Sequence, residues 1–227
     1  MAVVAFDRNT AGAEETAAGL GAPAVGVGGD VNDDDDVAAA VAAASAAGPL
    51  SLVVNVAGGG TRGSRTVARD GAPHPMDTFR YTMEINAFGT FNVSRLAAAA
   101  MTANEPDADG QRGVIVNTSS LAGLEGQTGQ LAYAAAKAAI AGMTLPMARD
   151  LAPVGIRVCT IAPGTMATPV FASAPPALKD ALIANVVFPK RMGRPEEFAL
   201  LVEMIARNDY LNGEIFRLDG GLRFPPK

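Results

Sequence analysis

Short apolar runs alternate with longer helical patterns from one end of the 227-residue chain to the other. Residues 3–6, 24–27, 51–55, 113–117 and 156–161 read as strands, and the segment "GEIFRLDGG" adds one more near the end. The runs at 51–55, 113–117 and 156–161 are apolar without alternation, the pattern of parallel strands covered on both faces. Between them the spacing predicts helices over 11–20, 34–47, 76–101, 130–151, 176–187 and 195–206, the first two stopped by Gly21 and Gly48. Such alternation predicts an α/β fold with a doubly wound, mostly parallel, Rossmann-like sheet. No repeat, linker or compositional break divides the chain, so residues 1–227 are read as one domain.

Two stretches stay irregular, "GGGTRGSRTVARDGAPHP" and "PGTMATPVFASAPPALKD". The second follows the end of a sheet strand, where open α/β sheets bind ligands, and is read as a lid. Apolar residues make up 49% of the chain and tryptophan is absent, which suits smooth, closely packed helices. A net charge of −5 argues against nucleic acid or an anionic membrane surface as partner. No stretch reads as long and apolar enough to cross a membrane, and the start shows no basic-then-apolar leader. Four aspartates at 33–36 read as the opening of a helix; consecutive carboxylates do not converge on one ion, and no metal site is expected. The single cysteine, Cys159, lies in an apolar run and reads as a core residue of a protein in a reducing, cytoplasmic compartment. The single histidine, His74, lies in a proline-flanked loop and reads as solvated, which disfavours a Ser-His-Asp triad or a multi-histidine metal site.

Chemistry concentrates in "NTSSLAGLEGQTGQLAYAAAKAAIAG". Tyr133 and Lys137 are four apart on a predicted helix and so share a face. An ammonium beside a phenol favours the phenolate, which lowers the tyrosine pKa toward the range of a general acid/base. Ser120, just after a buried strand, supplies a hydroxyl that can hold a substrate oxygen. The three groups suit proton transfer at an alcohol oxygen while a hydride moves at its carbon, and the hydride must come from or go to a redox cofactor. Asn55, Ala57 and Gly58 end a strand with small residues that permit close approach of a ligand. Asn86 sits mid-helix, where an amide is an indifferent helix former and suggests a polar task. "PGTMATP" offers Thr165, Thr168 and free backbone groups. Asp7 closes the first apolar strand, as an acidic residue does where a dinucleotide fold holds an adenosine ribose.

The set Asn55-x-Ala57-Gly58, Asn86, Ser120, Tyr133-x-x-x-Lys137 and Pro163-Gly164-x-x-x-Thr168 resembles the short-chain dehydrogenase/reductase family over essentially the whole chain. Within it, "NEPDADGQRGVIVNTSS", the stretch from "EGQTGQLAY" to "VGIRV" and "LNGEIFRLDGG" resemble the type 2 3-hydroxyacyl-CoA dehydrogenases, also known as type 10 17β-hydroxysteroid dehydrogenases. The resemblance implies an oxidoreductase that passes a hydride between NAD and a secondary alcohol or ketone, with a small acyl-CoA or related molecule as substrate. It implies Tyr133 as the acid/base, Lys137 as its pKa-lowering neighbour and ribose ligand, Ser120 as the group orienting substrate, and Asn86 as support for a water-linked proton relay. Pro163, Gly164, Thr165, Met166 and Thr168 would surround the nicotinamide carboxamide, and Asn55, Ala57 and Gly58 would line the cofactor. Asp30 and Val31 would flank the adenine. Asp7 would hold the ribose hydroxyls and repel a 2′-phosphate, favouring NAD over NADP, with Arg8 able to soften that preference. The family commonly forms tetramers through its two long helices, here 76–101 and 130–151, so a tetramer or dimer is implied. A 3-oxoacyl-carrier-protein reductase is the alternative enzyme, which Asp7 disfavours because that class usually prefers NADP.

One family feature does not occur in this sequence. The family opens with a strand, a Thr-Gly-x-x-x-Gly-x-Gly turn that cradles the cofactor pyrophosphate, and a helix, and no such motif is present. The strand at 3–6 corresponds to the family's second. Met1 is therefore read as an internal codon of a longer dehydrogenase; the other reading is a short form that keeps the chemical residues without the cofactor and serves as a scaffold. The family's first strand lies between its second and fourth, so without it two interior edges lack a partner. The expectation is that the strand at 3–6 moves beside the one at 51–55, closing the gap, displacing Asp7 and breaking the NAD site.

Overall fold

A computed structural model describes residues 2–61, 63–169 and 175–226. Strand β1 (Val3–Asp7) leads into helix α1 (Thr10–Leu20), and β2 (Ala24–Gly28) returns beside β1 in parallel, from Val3 opposite Ala24 to Asp7 opposite Gly28. Helix α2 (Asp34–Ala46) follows. Its N-cap Asp33 accepts hydrogen bonds from the Asp35 and Asp36 amides at 2.9 and 3.1 Å, so the aspartate run opens a helix and faces its positive end.

The second sheet runs β3 (Leu52–Asn55), β4 (Gly113–Thr118), β5 (Ile156–Pro163) and β6 (Ile215–Leu218), all parallel. Its connections are α3 (Met76–Met83), a π-helical turn (Glu84–Phe88), α4 (Gly89–Met101), α5 (Leu121–Leu124), α6 (Leu131–Leu151), α7 (Pro176–Ile183) and α8 (Pro195–Arg207). Ile115, Ile156 and Val158 pack on Ala98, Met101, Met147 and Ala148 of α4 and α6. On the opposite face Val114, Val116, Cys159 and Ile161 pack on Val202 and Ile205 of α8. Cys159 is thus a core residue, its thiol pushed up by burial.

The structure corrects the sequence reading in four places. The expected helix over 76–101 is broken by the π turn. The Asn86 side-chain amide donates to the Thr82 carbonyl (2.9 Å), the acceptor that an α-helix would give to the Asn86 backbone, and the helix widens there. The helix expected over 176–187 stops at Ile183. The segment Leu131–Val154, α6 with the 3-10 turn after it, does have the length and mean hydropathy (1.2) of a membrane-crossing helix; it is packed against α5, α3 and β5.

The fourth correction concerns the sheet. The strand at 3–6 does not move beside the one at 51–55. β1 stays paired with β2, and β3 pairs with β4 alone among the described residues. The reason is the tightness of the β1–α1–β2 unit. A Cβ on Gly26 would lie 2.5 Å from the Glu14 amide, and one on Gly28 1.9 Å from the Thr10 hydroxyl, so α1 lies directly on β2 and holds the pair together. Helix α2 then packs on α4: the Asn92 side chain donates to the Val31 carbonyl (3.0 Å) and Arg95 pairs with Asp34 at 2.5 Å. The lid stretch falls partly on residues 170–174, outside the described residues.

Candidate active site

Ser120, Tyr133 and Lys137 converge where β4 ends. The strand runs into Thr118 and Ser119, and the Ser119 hydroxyl donates to the Lys137 carbonyl at 2.7 Å, tying the strand end to α6. Ser120 caps α5, accepting from the Ala122 amide at 3.1 Å. Helix α5 lies so close to α6 that a Cβ on Gly123 would stand 2.6 Å from the Lys137 carbonyl carbon, so only glycine fits there. Lys137 is buried, and its Nζ donates to the Thr118 carbonyl at 2.9 Å while standing 5.9 Å from the Tyr133 ring centre.

The electrostatics differ from the expectation for this pair. Burial raises the Tyr133 pKa, and a hydrogen bond with the Ser120 side chain offsets it only in part. Burial lowers the Lys137 pKa from 10.5 to about 8. Lys137 does not pull Tyr133 down here because its ammonium is turned to the Thr118 carbonyl and shares the same low-dielectric pocket.

Asn86 is fully buried in the π turn. Its carbonyl oxygen accepts from the Gly59 amide (3.1 Å), and its nitrogen donates to the Gly59 and Thr82 carbonyls, so the side chain fixes the loop after β3. Gly58 has φ +138°, and a Cβ there would meet Asn86 Oδ1 at 2.5 Å. Asn55 points into the core instead, donating to Ser94 (2.9 Å) and to Asn117 (2.8 Å), whereas Ala57 is exposed beside it. The loop after β5 is ordered by Gly193: its amide donates to the Thr165 carbonyl (3.0 Å) and its carbonyl accepts from Ala167. Met166 pairs with Gly193, Thr168 N donates to the Met166 carbonyl, and Gly164 N to Leu218. Pro163 ends β5.

Asp7 stays at the carboxyl end of β1, where it accepts from the Asn9 amide at 2.8 Å. Asp30 lies just beyond β2 and accepts from the Asn32 amide; the Asp30 amide itself donates to Asp36. Val31 lies over Gly89, where a Cβ would come within 2.4 Å of its side chain. Arg8 reaches the Tyr81 hydroxyl at 3.5 Å. His74 sets its Nδ1 2.9 Å from the Pro75 carbonyl and its ring edge-on to Phe79.

Three contributors escaped the sequence reading. Thr118 supplies the acceptor for Lys137, and Ser119 the tie to α6. Glu125, just after α5, accepts from Arg217 at 2.8 Å and from the Phe224 amide at 3.1 Å, and pairs with Arg223. The chain end thereby straps the segment between Ser120 and Tyr133, and Thr128 and Gln127 add hydrogen bonds to the Pro226 and Pro225 carbonyls. The doubled serine of "NTSS" hinted at Ser119; the Glu125–Arg217 pair spans 92 residues and left no local trace.

The family model for short chain dehydrogenases matches residues 1–179. The chain belongs to the short-chain dehydrogenase family. It is 46% identical to human 3-hydroxyacyl-CoA dehydrogenase type-2 over 179 residues, 79% of this chain and 69% of that protein. The crystal structure of 3-hydroxyacyl-CoA dehydrogenase type-2 from Mycobacterium avium superposes with a TM-score of 0.95 at 46% identity, covering 99% of this chain and 87% of that one. A 7α-hydroxysteroid dehydrogenase complexed with NADH and 7-oxo glycochenodeoxycholic acid superposes with a TM-score of 0.83 at 27% identity, over 100% of this chain and 86% of that one. As a short-chain dehydrogenase the chain is an oxidoreductase, and its Ser120, Tyr133 and Lys137 meet at the carboxyl edge of the sheet, where open α/β folds bind ligands.

Proposed function

We propose that this short-chain dehydrogenase transfers a hydride between NAD and the carbinol carbon of a secondary alcohol, most specifically a 3-hydroxyacyl-CoA. The observation that carries the reading is the meeting of the Ser120 and Tyr133 side chains beside a buried lysine. The residues fit the nicotinamide end of the cofactor. Lys137 Nζ has one acceptor among the described residues, and the buried Thr118 hydroxyl beside it has no partner there, so donors are left for a ribose or a carboxamide. Asp7, Asp30 and Val31 would hold the adenosine end, and Gly164, Thr165, Met166 and Thr168 the carboxamide. When bound, NAD supplies the hydride acceptor.

The chain's residues handle the proton. Ser120 donates to the substrate oxygen and holds it near Tyr133. The alcohol proton passes to the Tyr133 phenolate as the C–H bond breaks; the reverse reduction returns it. The hydrogen bond from Ser120 offsets part of the burial cost of that phenolate, and Asn86 shapes the loop through which the relay to solvent would run. The acyl-CoA assignment draws on the relatives named above. A homo-oligomer built through the π turn, α4 and α6 draws on Phe88, Phe91, Leu131 and Leu145, apolar residues left 57, 48, 44 and 46% exposed. The buried lone cysteine suits a cytoplasmic, reducing setting.

Replacing Tyr133 by Phe removes the proton acceptor while keeping the ring. Assayed on a 3-hydroxyacyl-CoA with NAD, Tyr133→Phe is expected to lose turnover by at least ~100-fold. Turnover close to that of the unaltered protein would remove the proposed chemistry.

A further inference from the structure

We propose that Glu125 is a positioning residue: through Arg217 and Asp219 it sets where the Ser120 hydroxyl stands relative to Tyr133. The proposal rests on the dehydrogenase reading above for its effect on turnover, and on the geometry alone for the positioning itself.

The two side chains that would meet the substrate oxygen have unequal supports. Tyr133 stands on α6, a helix of 21 residues. Ser120 caps α5, a helix of four residues, and a single helical turn is too short to hold itself in water. At its N-terminal end the Ala122 amide donates to the Ser120 hydroxyl at 3.1 Å, so the hydroxyl moves with that turn. At its C-terminal end stands Glu125, whose amide donates to the Leu121 carbonyl at 2.7 Å. Four residues rise only about 6 Å along a helix axis. Whatever grips Glu125 is therefore felt at Ser120.

Glu125 is gripped by a frame anchored in the sheet. Its Oε1 accepts from Arg217 at 2.8 Å and lies 3.4 Å from Arg223, and its Oε2 accepts from the Phe224 amide at 3.1 Å. The Arg217 guanidinium holds the Glu125 carboxyl below the ordinary carboxylate range, so it is charged at neutral pH. Arg217 itself lies in β6, opposite Ala162 of β5. Its Nε donates to Asp219 at 2.8 Å and its Nη2 to the Leu222 carbonyl at 3.1 Å. Asp219 is buried and also accepts from the Gly221 amide at 2.9 Å and from Arg223 at 3.2 Å. The turn held in this way is tied to two further segments. The Gly164 amide donates to the Leu218 carbonyl, and the Val187 and Phe188 amides donate to the Gly220 carbonyl. Leu222 is buried in one apolar cluster with Val186 and with Leu121, the residue after Ser120. The apolar contact and the ion pair thus act on the two ends of the same short helix. A fully exposed ion pair would fix little. Here the Glu125 and Arg217 side chains are only 26 and 27% exposed, and both are bonded to backbone, so the pair sets a distance.

The test is a double-mutant cycle, with turnover of a 3-hydroxyacyl-CoA and NAD read beside amide hydrogen exchange. Glu125→Ala is expected to lower kcat by ~10-fold, and Glu125→Gln, which keeps an oxygen for Arg217, by less than ~3-fold. In a Ser120→Ala background the same Glu125→Ala change is expected to cost less than ~2-fold more, because the group it positions is gone. Exchange at the Ala122 amide is expected to quicken by ~10-fold in Glu125→Ala while β4 keeps its protection. Glu125→Asp keeps the charge, shortens the reach by one methylene and serves in the same cycle if Glu125→Ala does not fold. An equal loss of kcat with and without the Ser120 hydroxyl would mean a merely structural role and overturns the proposal. Unchanged exchange at Ala122 overturns it as well. Faster exchange at Ala122 in a protein that does not turn over the hydroxyacyl-CoA upholds the positioning of Ser120 and counts against the dehydrogenase reading instead.

Discussion

Lys137 carries a charge in a place that disfavours charge, and its energetics follow from that. Its folded pKa of about 8 lies below the 10.5 of an unfolded chain, so between those values the unfolded state binds more protons. Stability therefore rises as pH climbs from about 8 to 10.5, and below 8 the burial penalty is present in full. That penalty is of order 3 kcal/mol, against about 1 kcal/mol for the hydrogen bond to Thr118. Lys137→Met is expected to raise the unfolding free energy by ~2 kcal/mol at pH 7, with the gain fading as the pH approaches 10.5. Urea unfolding at several pH values measures it; a gain independent of pH would show that the ammonium is not the source. The Tyr-x-x-x-Lys spacing made this pair legible in the sequence. The direction of the tyrosine shift was not legible, because it depends on how deeply Tyr133 is buried and on where the lysine turns its protons.

At the scale of elements, the site is set by how α5 sits on α6. Gly123→Ala places a methyl 2.6 Å from the Lys137 carbonyl carbon, so one helix must shift and Ser120 shifts with it. The substitution is expected to cost ~1–3 kcal/mol in stability and to lower turnover more than it weakens substrate binding. Steady-state kinetics beside thermal unfolding read both; a variant with unchanged stability and rate would mean that α5 relaxes freely. Most elements could be read from hydrophobic spacing to within a few residues, because the continuous apolar runs at 113–117 and 156–161 are buried parallel strands. The break at Asn86 could not, since the side chain that takes the Thr82 carbonyl is held in place by a tertiary contact with Gly59. The strap at the chain end depends on Glu125 and Arg217, which meet only in the folded protein.

At the scale of the whole molecule, both sheets are parallel, and candidate residues lie at the carboxyl edge of each: Asp7 and Asp30 at β1 and β2, Ser120 and the loop after β5 at the other sheet. The alternation of strands and helices foretold the layers. It did not foretell that β1 would keep to β2, because that choice is made by the close packing of α1 on Gly26 and Gly28. The central claim is that this edge binds a nicotinamide dinucleotide. A fluorescence titration of NADH tests it most directly, since the chain contains no tryptophan to compete with the cofactor's emission. The predicted result is a saturable rise in NADH emission that NAD reverses and that Lys137→Met weakens; no saturable binding up to millimolar NADH would contradict it.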